Sequence, residues 1–103
     1  MEITYITVPD MNDSVSRITL GGKPYHIRFT YNDTKDFWKF GLYTVLDEPI
    51  ITGIKIVPRF PINIFYGVGK EPYGLFGVET NLDRIGRYDF ANGNAYFFFM
   101  PTK

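Results

Sequence analysis

The histidine His26 sits in the stretch Y-H-I-R-F-T-Y, with Arg28 two residues on and Ser14, Ser16 and Asp33 nearby in the chain. A hydroxyl, an imidazole and a carboxylate are the raw material of an activated nucleophile, but the chemistry requires them to be brought into line. No motif around His26 does that, so it reads as a surface or sheet-packing side chain of a hairpin. Asp33, Asp36, Asp47 and Glu48 could supply a carboxylate pair for acid–base work. They fall in turns, where Asp is favoured because its side chain bonds nearby backbone. D-M-N-D at residues 10–13 lacks the spaced ligands of a calcium loop. Y-G-V-G-K-E-P-Y-G has the glycines and lysine of a phosphate loop, yet Lys70 is followed by Glu71 and Pro72 where that loop needs Ser or Thr. It reads as an ordinary loop. A single histidine and no cysteine leave a zinc framework short of ligands. No catalytic, cofactor-binding or metal-ligating residue is assigned, no cofactor is expected, and the chain does not read as an enzyme.

The bulk properties narrow the classes further. Lys and Arg together number 11, as do Asp and Glu, so no basic footprint for a polyanion is present and nucleic acid is not an expected partner. With 103 residues the chain is expected to form one domain over 1–103. Hydrophobic residues at 45% and aromatic residues at 18% are enough for a core. A chain this short still exposes much of its surface, which makes association a natural supplement. The first ten residues, M-E-I-T-Y-I-T-V-P-D, carry no basic region followed by a long apolar core, and no stretch approaches about 18 apolar residues. The expectation is a soluble protein made in the cytosol, with no membrane contact.

The elements that must position these residues are strands. Short runs of β-branched and aromatic residues are punctuated by Gly, Pro, Asn and Asp, without sustained helical periodicity. Strands are expected over 3–8, 15–20, 25–31, 37–44, 50–57, 75–80 and 95–100. Gly21-Gly22 supplies the positive φ of a tight hairpin. In the strand that returns from it, Tyr25, Ile27, Phe29 and Tyr31 share one face, and His26, Arg28 and Thr30 the other. Trp38, Phe40 and Leu42 then oppose Phe37, Lys39, Gly41 and Tyr43. The expected shared core is Tyr25, Ile27, Phe29, Tyr31, Trp38, Phe40 and Leu42, with His26, Arg28 and Lys39 outward. In the next run Ile50, Thr52, Ile54 and Ile56 alternate with Ile51, Gly53, Lys55 and Val57, and Gly53 predicts a bulge or bend that would curl the sheet. Residues 58–74 read as irregular, because Pro58 and Pro61 interrupt any ladder. Residues 81–93 could hold one helical turn, with Asn92-Gly93 as a turn signal. The last run, A-Y-F-F-F-M, is apolar on both faces and should lie centrally or under another subunit. The fold class is therefore all-β: about seven short, mainly antiparallel strands forming a small β-barrel or β-sandwich.

Aromatics on an OB-type face would bind single strands, and Arg28 and Lys39 do lie on adjacent strands near Phe37. The neutral charge balance opposes that reading. A small β-barrel binding module for glycan or single-stranded nucleic acid stays as the alternative function. Exposed Tyr and Phe on short strands more commonly mark protein interfaces.

The segment V-S-R-I-T-L-G-G-K-P-Y-H-I-R-F-T-Y-N-D-T-K-D-F-W-K-F-G-L-Y-T-V-L-D-E-P-I-I-T-G-I-K-I-V-P-R-F-P, residues 15–61, resembles a family of small phage tail proteins. Its members share the order Leu-Gly-Gly, a Tyr-x-Ile-Arg-Phe strand, Asn-Asp or Asn-Glu, an aromatic strand ending in Leu-Tyr, and Pro-Ile-Ile-x-Gly-Ile-Lys-Ile-Val-Pro. The family includes the baseplate plug domain of cyanophages with contractile tails. The resemblance implies a non-enzymatic structural component of a bacteriophage or prophage tail, located in the virion after synthesis in the bacterial host cytoplasm. It implies contacts with other tail proteins (hub, spike, tail tube or tape measure) and a homo-oligomer in the assembled tail. The interface expected on apolar content comprises Phe37 and Tyr43 on an outward strand face, with Phe65, Tyr66 and Tyr73 in the loop that follows.

Overall fold

The computed structural model describes residues 3–58, 62–64 and 74–101. They form eight strands: β1 (Thr4–Ile6), β2 (Asp13–Leu20), β3 (Lys23–Asn32), β4 (Phe37–Tyr43), β5 (Pro49–Lys55), β6 (Ile62–Ile64), β7 (Gly74–Thr80) and β8 (Ala95–Pro101). Two four-stranded sheets result, in the orders β2-β3-β4-β5 and β1-β8-β7-β6. All pairings are antiparallel. No ladder among the described residues joins the two sheets, so the expected all-β fold takes the form of a sandwich and not a closed barrel.

Gly21 and Gly22 have φ of +59° and +80°, the left-handed pair of a type I′ turn, whose twist matches that of the strands it joins. Leu20 consequently faces Lys23, and β2 and β3 stay in register through to Asp13 opposite Thr30. The next turn closes with an Asp36 N–H bond to the Asn32 carbonyl at 2.7 Å, Asp36 itself being left-handed at φ +56°. Between β4 and β5 the register slips twice, and Gly53 takes φ +66°. The slip changes which side chains face inward. Ile51 stands opposite Leu42 and Ile54 opposite Phe40, both packed on the core, while Thr52 is exposed. The strict alternation expected for this strand is broken by the bulge that the sequence itself signals.

The core is aromatic and spans both layers. Phe29 and Phe40 of one sheet meet Phe97 of the other at centroid distances of 5.3 and 5.1 Å, and Phe76 lies 5.1 Å from Phe40 and 4.9 Å from Phe99. Burying each such ring contributes about 1.5–3 kcal/mol, against roughly 0–1 kcal/mol for an exposed ion pair, so these rings hold the layers together. Tyr25, Ile27, Phe29, Trp38, Phe40 and Leu42 are buried as expected, and Tyr31 is half-buried against them.

One region departs from the sequence reading and one follows it. β6 lies within the stretch read as irregular and pairs Ile62 with Phe76. Three residues between a proline and a glycine-rich run are too few for an alternation to be visible. Residues 81–94 form turns without a helix, yet one helical turn is wound there: Asn92 N–H donates to the Tyr88 carbonyl at 2.9 Å. Bonds from Gly93 N–H to Phe90 O and from Asn94 N–H to Asp89 O, with Gly93 at φ +77°, close it as a Schellman cap. Trp38 fastens this turn to the sandwich, its indole N–H donating to the Gly86 carbonyl at 3.1 Å. Arg87 adds a guanidinium 5.7 Å from the Trp38 ring and an ion pair to Asp10 at 2.7 Å. The closing strand β8 is central, between β1 and β7, as its doubly apolar sequence predicts.

Candidate functional site

The outer face of the β2-β3-β4-β5 sheet gathers most of the residues that could do chemistry. An open depression of about 580 Å³ is lined by Asp13, Ser14, Val15, His26, Arg28, Tyr43 and Asp47. His26 faces Tyr43 across the β3–β4 ladder, which puts both on the outward side. Asp47 arrives from the β4–β5 turn. There Thr44 Oγ1 accepts from the Leu46 and Glu48 N–H groups at 3.3 and 3.2 Å, and Asp47 adopts φ +64°. This left-handed residue directs its carboxylate to His26 Nδ1 at 2.8 Å. Asp and Asn tolerate such a backbone better than bulkier residues.

Beside that pair, Arg28 forms a two-pronged contact with Asp13: Nε to Oδ1 at 2.8 Å and Nη2 to Oδ2 at 2.7 Å. The hydrogen bonds from Arg28 hold the Asp13 carboxyl below its ordinary range, against a smaller opposing desolvation. The same bonds raise the guanidinium above its ordinary value, with a smaller push from the Tyr43 phenol. Tyr43 folds back over Gly41, where an added Cβ would stand 3.1 Å from its ring. The depression therefore contains a His–Asp pair and an Arg–Asp pair, each satisfied internally. Among the described residues His26 has Asp47 as its hydrogen-bond partner and no hydroxyl in line with it, so the arrangement orients an imidazole without supplying a nucleophile. Nor do three metal-binding side chains gather anywhere among the described residues.

Phe37 lies at the other end of β4, six residues and about 20 Å of strand from Tyr43. The ammonium groups of Lys55 and Lys39 stand 5.0 and 5.7 Å from its ring centroid, a cation–π arrangement across neighbouring strands. The structure thus places Phe37 and Tyr43 on one face but at separate ends of it. Phe65, Tyr66 and Tyr73 lie outside the described residues.

The outer face of the β1-β8-β7-β6 sheet is built differently, and the sequence reading did not single it out. Tyr5 and Tyr96 are more than half exposed. Tyr5 meets Tyr96 and Phe98 edge-on at centroid distances of 6.3 and 6.5 Å. The Tyr5 hydroxyl donates to Glu79 Oε2 at 2.7 Å, which raises the phenol above its ordinary pKa. Phe98 lies flat across Gly77, its partner on β7: a Cβ there would come within 2.7 Å of the ring. Glycine at this position is what lets the aromatic row lie down on the sheet. The signal in the sequence was the doubly apolar A-Y-F-F-F-M run. The pairing that brings Tyr5 opposite Phe98 is 93 residues long-range and leaves no local trace.

The fold is a two-layer antiparallel sandwich with His–Asp and Arg–Asp pairs on one exterior and a row of rings on the other. The chain belongs to a phage baseplate plug family: the family model described as cyanophage baseplate Pam3 plug gp18 matches residues 3–102. Among curated proteins no sequence matches this chain.

Proposed function

We propose that this protein is a non-enzymatic structural component of a bacteriophage or prophage tail, a baseplate or tail-tip plug or hub-associated protein that acts through protein–protein contacts during virion assembly. The match of residues 3–102 to the plug family carries the reading. The two exteriors support it, since aromatic side chains at the surface are the composition enriched in protein interfaces. Its partners on this reading are neighbouring tail proteins, drawn from hub, spike, tail tube or tape measure, together with further copies of itself. It is made in the host cytoplasm and resides in the tail. Phe37, Tyr43, Phe65, Tyr66 and Tyr73 are its proposed contact residues, joined by Tyr5, Tyr96 and Phe98.

The test is to purify tails from a phage or prophage that carries this gene and to compare them with tails from a strain in which the gene is deleted. Mass spectrometry is expected to find the protein in the particle, and deletion is expected to remove density at the baseplate or tail tip by electron microscopy. A protein absent from purified tails would overturn the reading. Within it, Phe65→Ser with Tyr66→Ser, and separately Tyr5→Ser with Phe98→Ser, are expected to lower incorporation while the isolated domain stays folded.

A further inference from the structure

β2 is the longest strand that lies at a sheet edge, and its pairing geometry shows which of its backbone groups remain free. The two-residue Gly21-Gly22 turn makes Leu20 and Lys23 a hydrogen-bonded pair, and in an antiparallel ladder such pairs alternate with non-bonded ones. Thr19 therefore belongs to a non-bonded pair, in keeping with its partner Pro24, which has no N–H. At the far end the Tyr31 N–H donates to the Asn12 carbonyl at 2.8 Å, in phase with the same alternation. It follows that Asp13, Val15, Arg17 and Thr19 turn their N–H and C=O groups away from β3. Among the described residues no backbone covers this edge, and the strand has no proline and no bulge and runs in unbroken register over eight residues.

Two further observations say what fits there. On the outer side Asp13 and Arg17 are opposite charges spaced symmetrically about Val15, which is 61% exposed. The Asp13 carboxylate already accepts from Arg28 and keeps further lone pairs, and Arg17 has no ion-pair partner among the described residues. On the inner side the hydroxyl of Ser14 is buried without a hydrogen-bond partner, in a residue only 9% exposed, and Ser16 lies equally far on the other side of Val15.

We propose that β2 pairs antiparallel with β2 of a second copy of this chain about a two-fold axis at Val15. In that register Asp13 faces Arg17 of the other copy, twice by symmetry, and Ser14 faces Ser16, close enough for hydroxyls on neighbouring strands to bond. The groups left free on Asp13, Val15 and Arg17 find one another, and the two four-stranded sheets become one continuous sheet. Charge selects the register: an axis at Asp13 or at Arg17 would set like charges face to face, and one at Ser14 or Ser16 would leave the charges unmatched. The pairing gives a specific surface to the self-association included in the tail reading, but it rests on the edge itself and stands or falls separately from the tail role.

Sedimentation velocity of the purified chain over a concentration series tests it. The wild type is expected to form a dimer, with slowed amide hydrogen exchange at Asp13, Val15 and Arg17. Val15→Pro removes the N–H at the axis without touching a β2–β3 bond, and is expected to give a folded monomer in which Asp13 and Arg17 exchange rapidly. Arg17→Glu places acid against acid and is expected to weaken the dimer about tenfold or more. A wild type that stays monomeric, or a dimer that Arg17→Glu leaves unchanged, overturns the pairing, and the second result decides the matter even if Val15→Pro does not fold. A monomeric chain that still enters tails would overturn the edge pairing alone.

Discussion

The two exteriors of this sandwich handle exposure in opposite ways. Outside the β2-β3-β4-β5 sheet the long side chains away from the Arg17 edge position are mostly paired: Arg28 with Asp13, His26 with Asp47, and the Lys39 and Lys55 ammonium groups over Phe37. Outside the other sheet the surface is a row of rings, Tyr5, Tyr96 and Phe98, with Glu79 taking the one polar contact of Tyr5. Paired charges leave a surface that water solvates well and that changes little on contact. A row of rings gains when something covers it, since burial of apolar area is what drives association. The two exteriors thus differ in kind: on the first the charged side chains named here satisfy one another, and on the second the exposed area is aromatic.

The largest test of this contrast is made along β8, where Phe97 and Phe98 are consecutive residues on opposite sides. Phe97 touches Phe29 and Phe40 across the layers and Phe76 within its own sheet. Phe97→Ala is expected to cost about 3–5 kcal/mol, as large core truncations do. Phe98→Ala removes a partly buried ring from a cross-strand row on the outer face and is expected to cost about 1 kcal/mol or less in the isolated domain. Urea denaturation of the two variants measures both. Equal costs would mean that the outer row is as much part of the core as the inner one, and the contrast would fail.

A smaller effect sharpens the same point. Gly77→Ala places a methyl within 2.7 Å of the Phe98 ring, so the ring has to swing off the sheet, at an expected cost of about 1–3 kcal/mol. In a Phe98→Ala background the clash has no object. The Gly77→Ala penalty is expected to fall there by at least about 0.5 kcal/mol, the coupling that a double-mutant cycle detects between residues in contact. Additive costs would show that Gly77 is required for a reason unrelated to the ring.

How far these features could be read in advance depends on how local their causes are. The core of β3 and β4 followed from period-2 alternation, and the hairpin before them from Gly21-Gly22, because each is decided within a few residues. Gly53 announced its bulge, but the consequence, that Ile51 turns inward and Thr52 outward, depends on how the slipped strand meets β4. The His26–Asp47 contact spans 21 residues and needs a left-handed backbone at Asp47, which composition does not reveal. The aromatic row is assembled from β1 and β8, the most distant pairing in the fold. Its only trace was an apolar run that looked overcommitted for one strand. Local rules thus covered the charged face better than the aromatic one, since the latter exists only once distant strands meet.

The smallest expected effects separate the faces by pH. Asp13 titrates in the folded chain below its ordinary value of 3.8, because Arg28 donates to its ionised form. A depressed carboxyl contributes stability that is present above the unfolded value and is lost as pH falls through the folded one. Tyr5 titrates above its ordinary value of 10.0, chiefly because its hydroxyl donates to Glu79 and so must keep its proton. Its contribution is present below the unfolded value and is lost as pH rises through the folded one. The charged face therefore weakens at acid pH and the aromatic face at alkaline pH. Thermal unfolding across the pH range is expected to show Asp13→Asn flattening only the acid limb of the stability curve and Tyr5→Phe flattening only the alkaline limb. Both contacts are open to solvent, so the shifts are expected to be small, and added salt should shrink the acid one first because it alone joins two full charges of opposite sign. Should either variant move the opposite limb, the two exteriors would be electrostatically coupled through the core, and the contrast between them would have to be abandoned.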